Sequence, residues 1–253
     1  MKDKEIIRRR FEAGMACYDR QAQVQQQVCG MVAGRLEELL GQRDAPVRGL
    51  EVGAGTGMLT RHLARLVPRA FWHVNDLSPK AQQYLDPLLE GLSHRYLWGD
   101  AELLELPGDL GLIATASTVQ WFDDLPAFIA RCAGALAPGG LLVMTTFGPD
   151  NFRQIRATTG RGLEYRTLSG LEMLLRQAGF EPLILTEFRS ELAFVSPMEV
   201  LRHIKATGVG GTGHFRWSPS SLRRFDEQYR RLFASADNGV TLTYHPQITI
   251  SKI

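Results

Sequence analysis

Cysteine, long apolar runs and net charge are all scarce in this chain, and each scarcity excludes a class of protein. The three cysteines, Cys17, Cys29 and Cys132, are an odd number without metal-type spacing, so we expect no disulfide framework and no zinc site. We expect their side chains to act as small buried apolar groups in a reducing cytoplasm. The histidines show no H-x-x-x-H or H-E-x-x-H spacing, and no residue set resembles a nucleophilic triad. The sequence therefore favours a metal-free reaction without covalent catalysis.

No apolar run has the roughly 20 residues of a transmembrane helix. The charged start, residues 1–5, is not followed by the apolar region of a signal peptide. A formal net charge of +2 on 253 residues does not favour bulk nucleic-acid binding. We therefore expect a cytoplasmic protein with no nucleic-acid partner and no membrane, and the length suits a single domain with an insertion.

The most informative pattern that is present is a glycine-rich turn at residues 50–57, which reads Leu-Glu-Val-Gly-Ala-Gly-Thr-Gly. The apolar stretch 47–52 predicts a strand, and the apolar spacing that follows predicts a helix over about 57–66. Glycine allows a positive φ and the close approach of a ligand. Such a ligand is expected to meet the free N–H groups of the helix N-terminus.

The spacing of this turn indicates which ligand it takes. Gly53, Gly55 and Gly57 form G-x-G-x-G, whereas a dinucleotide site has G-x-G-x-x-G. An acidic residue, Glu51, lies two positions before the first glycine. Together these features favour S-adenosylmethionine (SAM) over a nicotinamide cofactor. The alternative is a turn that serves only the packing of a strand against a helix.

Strands and helices alternate along most of the chain, which predicts a doubly wound, mostly parallel sheet with helices on both faces. After the first strand, we expect strands over 70–76, 95–98, 110–116, 141–147, 182–194 and 240–250. Helices are expected over 22–40, from Ser78-Pro79, over 125–136 and over 167–178, and in an insertion over 197–207 and 219–234. The two long final strands predict an antiparallel hairpin, which makes a seven-stranded sheet with an antiparallel last strand. The single domain thus divides into an N-terminal helical segment (1–45), a cofactor-binding core (46–148) and a helical lid insertion (196–237).

Acidic residues follow two of the predicted strands, where ligands bind in such sheets. Asp76 ends the second strand, next to Leu77, and is expected to accept hydrogen bonds from ribose hydroxyls. A charge that only favours the next helix N-terminus is the alternative. Asp100 and Ala101 follow the third strand, where a carboxylate can accept from an adenine amino group. A solvated loop aspartate is the alternative there.

Polar and aromatic residues follow the fourth strand, where the transferring methyl group is expected. Ser117 and Gln120 would face that group, and Trp121 follows them. Core packing is the common role of an aromatic side chain, but aromatic faces also attract cations such as a sulfonium. Tyr18 precedes the sheet and could fold over the cofactor, or it could simply pack.

The insertion at 196–237 is basic, with seven Lys or Arg residues against four Asp or Glu. Such a run is often a solvated helix face, yet on a lid it would steer an acidic partner. Several residues in or near the insertion could bind an acidic substrate or could be plain surface or core residues. They are Arg202, His203, Lys205, His214, Tyr244 and His245.

Several motifs occur in order around the glycine turn. They are Phe11…Tyr18-Asp19…Ala22…Gln25, Val119-Gln120-Trp121, Ile204-Lys205-Ala206-Thr207-Gly208 and Leu242-Thr243-Tyr244-His245-Pro246. Over nearly the whole chain they resemble the malonyl-acyl-carrier-protein O-methyltransferase family of biotin synthesis, within the Rossmann-like class I methyltransferases. Members of the family often carry asparagine just after the fourth strand, where this chain has Ala116.

The resemblance implies SAM-dependent methylation of the free carboxylate of malonyl-acyl carrier protein. That carboxylate is ionised at neutral pH, so the reaction needs alignment and removal of water rather than a general base. Tyr18 and Trp121 are then expected to close the pocket around the methyl group. Lys205 or Arg202 could pair with the carboxylate, and the sequence does not decide between them. The basic lid would suit the acidic carrier protein.

Two other functions remain open from the sequence. A methyltransferase that acts on a small free carboxylic acid would keep the same cofactor site. A SAM-binding partner subunit without activity would also keep it. The intact set Gly53, Gly55, Gly57 and Asp76 disfavours the second of these.

Overall fold

Seven strands form one central sheet in the computed structural model, which describes residues 2–41, 48–207 and 217–253. Along the sheet the strand order is β3-β2-β1-β4-β5-β9-β6, and β9 runs antiparallel to both of its neighbours. Two further strands, β7 and β8, pair as a separate antiparallel sheet. The strands are β1 Arg48–Val52, β2 Phe71–Asp76, β3 His94–Trp98, β4 Leu110–Ala116, β5 Leu136–Phe147, β6 Glu181–Glu187, β7 Ser190–Phe194, β8 Val240–Tyr244 and β9 Pro246–Lys252. The predicted mostly parallel seven-stranded sheet with an antiparallel last strand is confirmed.

Helices cover both faces of the sheet, which explains why the central strands are apolar without alternation. Leu50 of β1 and Ile113 of β4 are fully buried on one face, and Leu112 and Val143 are fully buried on the other. The helices are α1 Lys4–Gln21, α2 Gln23–Leu40, α3 Thr60–Leu66, α4 Gln82–Leu89, α5 Leu125–Ala135, α6 Arg153–Thr159, α7 Leu168–Gln177, α8 Pro197–Ala206 and α9 Pro219–Phe233. Within the described residues, none of these helices has both the length and the apolar character that crossing a bilayer requires.

Local sequence signals set several helix starts. Ser196 accepts a hydrogen bond from the N–H of Glu199, and a proline follows it at the first helical position of α8. Ser218 and Ser221 form a reciprocal capping box at the start of α9. The two insertion helices therefore agree with the predicted bounds to within a residue at each end.

The prediction of two continuous final strands is wrong, because each of them is broken. β6 ends at Glu187 and β7 begins at Ser190, opposite the break between β8 and β9. At this bend Pro246 starts β9, and the first residue of a strand is a position where proline is tolerated. The outer half of the hairpin thus leaves the main sheet and forms its own two-stranded sheet. The insertion connects the two strands of this small sheet.

Three other differences are local. The helix predicted from residue 57 starts at Thr60, because residues 55–59 form turns. β5 begins at Leu136 rather than at residue 141, and α6 lies between β5 and α7, where no helix was predicted. Among the residues used in the sequence analysis, Val47, Gly208, His214 and one of the seven basic residues of the insertion, Arg216, lie outside the described residues.

Helix α1 lies across the carboxyl ends of the strands and is held there by polar contacts. Asp19 accepts a hydrogen bond from the Thr56 hydroxyl at 2.6 Å and pairs with Arg61 at 2.9 Å. Glu12 accepts from the Ser78 hydroxyl at 2.6 Å. Helix α1 also packs closely on α8, since a Cβ on Gly14 would lie 2.9 Å from the carbonyl oxygen of Ala206. The N-terminal segment is therefore part of the wall around the strand ends.

Candidate active site

A cavity opens between the carboxyl ends of β1, β2, β4 and β5 and the covering helix α1. It measures about 1150 Å³ with the open space at its mouth included. Strand-end residues and α1 supply most of its lining. The predicted site residues that line it are Tyr18, Glu51, Gly53, Gly55, Asp76, Leu77, Asp100, Ala101, Ser117, Gln120 and Trp121.

The glycine turn owes its composition partly to packing within the protein. Gly53, Gly55 and Gly57 have φ values of +71°, +58° and +82°, which side chains rarely adopt. A Cβ on Gly53 would lie 2.3 Å from the Oγ1 of Thr118, and one on Gly57 would lie 2.3 Å from the Cδ1 of Leu88. Gly55 is the one of the three that faces α1 across the cavity. Gly57 does not line the cavity within the described residues.

Several backbone N–H groups of this turn are used inside the protein. Gly53 and Ala54 both donate to the carbonyl oxygen of Asn75, each at 2.9 Å. Gly55 donates to the Oδ2 of Asp76 at 2.8 Å. These three N–H groups are therefore not available to a ligand.

Asp76 is a buried carboxylate fixed at the end of β2. Its Oδ1 accepts the N–H of Ser78 at 2.8 Å, and its Oδ2 accepts the N–H of Gly55. Burial raises the pKa of Asp76, while these two N–H groups act in the opposite direction. A carboxylate can accept about four hydrogen bonds, so Asp76 keeps acceptor capacity for the hydroxyls of a ligand.

Glu51 is the second buried acid of the site, with 2% of its surface exposed. Its pKa is raised to about 8, mainly by burial; hydrogen bonds from Thr60 partly oppose the rise, and the Asp76 charge adds to it. A carboxyl group with such a pKa is largely protonated at neutral pH while no cation lies beside it. The site is thus arranged to gain from a positively charged ligand.

Asp100 lies at the far end of the cavity, beneath the start of α1. Its Oδ1 accepts the N–H of Glu102 at 3.0 Å, and its Oδ2 lies 3.6 Å from the Nζ of Lys4. Lys4 also donates to Glu102 and to the carbonyl oxygen of Trp121, the latter at 2.9 Å. Arg131 holds the loop from below by donating to the carbonyl oxygen of Glu102 at 2.6 Å. These contacts therefore hold the start of α1 and the loop around Asp100 in place at this end of the cavity.

The segment after β4 takes an unusual backbone path at the cavity wall. Ser117 has a φ of +52°, and its N–H donates to Thr145. Gln120 donates through Nε2 to the carbonyl oxygen of Ser117 at 2.6 Å, and its buried Oε1 has no hydrogen-bond partner. Opposite them on α1, Tyr18 packs edge-on against Phe11, with ring centroids 5.1 Å apart. Burial raises the pKa of Tyr18, so its hydroxyl stays protonated.

Five of the other residues singled out in the sequence lie away from the cavity lining. Arg202 and Lys205 are exposed on α8. Tyr244 is buried behind the cavity wall, with its hydroxyl 2.7 Å from the Nε2 of His203. His245 is buried at the hairpin bend, where its Nε2 lies 3.2 Å from the Oε2 of Glu187 and its Nδ1 accepts the N–H of Asp150.

The lining also contains residues to which the sequence patterns assign no site role. They are Lys4, Phe11, Gln25, Cys29, Phe147 and Thr207. The sequence could have indicated Gln25, because it is a polar residue among the buried apolar positions Val24, Val28 and Val32 of α2. A polar residue on the apolar face of a helix needs a buried partner.

The hydrogen-bond acceptors of this cavity fit SAM, which contains an adenosine, a positively charged sulfonium and an ammonium group. Asp76 and Asp100 offer carboxylate oxygens at two strand ends, which suits hydroxyl and amino donors. Glu51 and the unpartnered Oε1 of Gln120 add acceptors near the glycine turn. The one non-glycine positive φ of the lining, at Ser117, lies beside them.

Comparison with known proteins gives a consistent result. A family model described as a methyltransferase domain matches residues 50–140. A malonyl-[acyl-carrier protein] O-methyltransferase from Prosthecochloris aestuarii is 40% identical over 96% of this chain and 91% of its own length. Another of the same name, from Haemophilus influenzae, is 37% identical over 99% of this chain and 95% of its own length.

Solved structures support the fold. The YcgJ protein from Bacillus subtilis superimposes with a TM-score of 0.62 at 13% identity, over 87% of this chain and 97% of that one. A phosphoethanolamine N-methyltransferase from Haemonchus contortus, solved with S-adenosylhomocysteine, gives a TM-score of 0.51 at 18% identity, over 83% of this chain and 49% of that one. At these identities the likeness concerns the fold alone.

Proposed function

This chain belongs to the malonyl-acyl-carrier-protein O-methyltransferase family, and we propose that it transfers a methyl group from SAM to the free carboxylate of malonyl-acyl carrier protein. The product is a methyl ester, the form in which a malonyl unit would enter pimeloyl and biotin synthesis. The observation that carries the proposal is the near full-length relationship to enzymes of that name. The cavity at the strand ends supports it, because its acceptors suit a cationic, adenosine-containing methyl donor.

The chemistry asks little of acid–base groups. The malonyl carboxylate is ionised at neutral pH, because ordinary carboxyl pKa values lie near ~4. When bound, SAM supplies a methyl group on a positively charged sulfur. The protein then has to hold the carboxylate oxygen in line with that methyl group and keep water away, and such positioning accounts for several kcal/mol in enzymes of this kind.

We assign the holding of SAM to the strand-end residues. Asp76 would accept from the ribose hydroxyls, beside Leu77, and Asp100 from the adenine amino group, beside Ala101. Glu51, Ser117 and Gln120 would surround the methionine part, against the backbone of Gly53 and Gly55. Gly57 would act through packing against Leu88, since its missing Cβ makes room for that side chain.

Tyr18 and Trp121 are proposed to close the pocket around the methyl group. Both line the cavity, and they come from opposite walls: α1 and the segment after β4. The aromatic rings would face the sulfonium, which favours π surfaces. Their contact with the cation would also exclude water from the transferring group.

The carrier protein is proposed to dock on a basic surface formed by the exposed cations of α8 and α9. These residues are Arg202, Lys205, Arg223, Arg224, Arg230 and Arg231. Arg230 is partly neutralised by Asp226 at 2.9 Å. Such a surface would accelerate association with an acidic partner and would lose this effect at high salt. Tyr244 and His245, both buried, would support the adjoining strand ends.

The direct test supplies methyl-labelled SAM together with malonyl-acyl carrier protein, malonyl-coenzyme A or free malonate. We expect label on the malonyl-carrier, in a form that mild alkali releases as methanol. Acetyl-carrier is the matched control, because it lacks only the free carboxylate. Label that moves to small free acids and not to the carrier would instead support the small-acid methyltransferase.

A further inference from the structure

Gln25 is buried in the cavity wall with an unpartnered polar atom. Only 3% of its surface is exposed, and it lines the cavity from the first turn of α2. Its Oε1 has no hydrogen-bond partner. Leaving a buried polar group without a partner costs about 1–3 kcal/mol, so an orphan of this kind at a ligand cavity indicates a contact that a bound molecule completes.

Gln25 lies near the end of α8, the first helix of the insertion. Its neighbours in the lining include Phe147, at the end of β5, and Thr207, which ends α8 of the insertion. Behind it, the Tyr244 hydroxyl lies beside the side chains of Gln25 and Thr207. The groups that we assign to ribose and adenine, Asp76 and Asp100, lie at the ends of β2 and beyond β3, and we assign the side of the cavity near α8 to the methyl acceptor.

Cations are absent from this side within the described part of the lining. The described cations of the lining, Lys4 and Arg8, belong to the first two turns of α1 and are engaged there. Lys4 contacts Glu102 and Asp100, and Arg8 pairs with Glu5 at 2.7 Å and with Glu12 at 2.8 Å. The exposed Arg202 and Lys205 do not line the cavity.

We propose that the Gln25 amide holds the acceptor carboxylate, so that a neutral hydrogen-bond donor rather than a Lys or Arg side chain positions the nucleophile. This inference rests on the proposed function. The amide can present its NH₂ group to the cavity, because its two ends have the same shape, and its oxygen then lies on the side of the Tyr244 hydroxyl, which can donate to it. The NH₂ group donates to one carboxylate oxygen, and the other oxygen faces the methyl group.

A neutral donor suits the charge change of the reaction. The carboxylate oxygen forms a bond to the methyl carbon, and the electron pair of the broken carbon–sulfur bond stays on sulfur. The negative carboxylate and the positive sulfonium thus become a neutral ester and a neutral thioether, with no proton transferred. A cation beside the carboxylate would stabilise the charged reactants, and it would remain as an unpaired buried charge with the products.

The test uses Gln25→Leu, which keeps the size of the side chain but removes the donor. We measure the dissociation constants of SAM, malonyl-carrier and acetyl-carrier, together with kcat and KM. Binding of malonyl-carrier should weaken roughly 10- to 100-fold, since a hydrogen bond to a charged group is lost. Binding of acetyl-carrier and of SAM should stay within about twofold, and wild-type-like SAM binding also shows that the variant is folded. Gln27→Leu, the same change on the exposed face of α2, is the matched control.

A second variant, Gln25→Glu, gives a readout that a structural role would not move. Its carboxylate would repel the acceptor, so kcat/KM should fall further at pH 8 than at pH 6, where a buried glutamate takes up a proton more readily. If Gln25→Leu weakens the binding of malonyl-carrier and of acetyl-carrier equally, the inference is overturned in favour of a structural role. A selective loss of SAM binding would assign Gln25 to the cofactor. If the wild-type protein does not methylate malonyl-carrier at all, it is the proposed function that fails.

Discussion

Glu51 makes the stability of the free protein depend on pH in a way that can be calculated. Its pKa is raised from 4.5 to about 8, mainly by burial. A carboxyl group with a raised pKa binds its proton more tightly in the folded state, so stability is lost as the pH rises from the unfolded to the folded value. The slope in this window is about 1.36 kcal/mol per pH unit.

Glu51→Gln removes this titration and keeps the shape of the side chain. Between pH 5 and pH 7.5 the free energy of unfolding of the wild-type protein should fall by about 3 kcal/mol relative to the variant. Urea unfolding at a series of pH values measures this difference directly, and comparison with the variant cancels the titration of other groups. The same change at the exposed Glu105 is the control for the chemistry of the substitution.

Bound SAM should make the free energy of unfolding less dependent on pH, because the positive charges of SAM favour the ionised form of Glu51. The dissociation constant of SAM should therefore fall as the pH rises toward 8, by up to about tenfold per pH unit. Calorimetry in two buffers of different ionisation enthalpy should detect proton release on binding. Unfolding curves of wild type and Glu51→Gln that run parallel across this pH range would refute the reasoning.

Three further predictions concern the docking surface, the glycine turn and the ribose site. Reversing the charge of Arg223 and Arg224 together should raise the KM for malonyl-carrier roughly tenfold at low salt and leave SAM binding unchanged; unaltered kinetics would contradict the docking surface. Gly57→Ala should destabilise the fold by about 2 kcal/mol or more in urea unfolding, because it combines a positive φ with a clash. The same change at the open helical position Gly30 should stabilise it slightly. Asp76→Asn should weaken SAM binding by about tenfold or more in calorimetry with folding retained, and an unchanged affinity would remove Asp76 from the site.

The parts of the fold that the sequence predicts well are those that local patterns determine. The glycine turn, the alternation of strands and helices, and the acids at strand ends each depend on a few neighbouring residues. Asp76 and Asp100 could be placed at one edge of the sheet because parallel strands end on the same side. The positive φ of Gly53 likewise follows from local backbone geometry.

Other features depend on contacts that no local pattern contains. The bend that divides the final hairpin depends on which strand pairs with which, and both halves have ordinary strand composition. The covering position of α1 depends on distant partners such as Thr56 and Ser78. Gln25 belongs to the same class, because its orphan oxygen is recognisable only once α2 is packed against the cavity.

The break in the hairpin also has a consequence for how such a protein can diversify. The insertion is attached through β7 and β8, which pair with each other and not with the central sheet. Insertions and deletions between residues 190 and 244 therefore leave the register of β9 with β5 and β6 untouched. The insertion can therefore change at the two joints, near Arg189 and His245, while the strands of the central sheet keep their pairing.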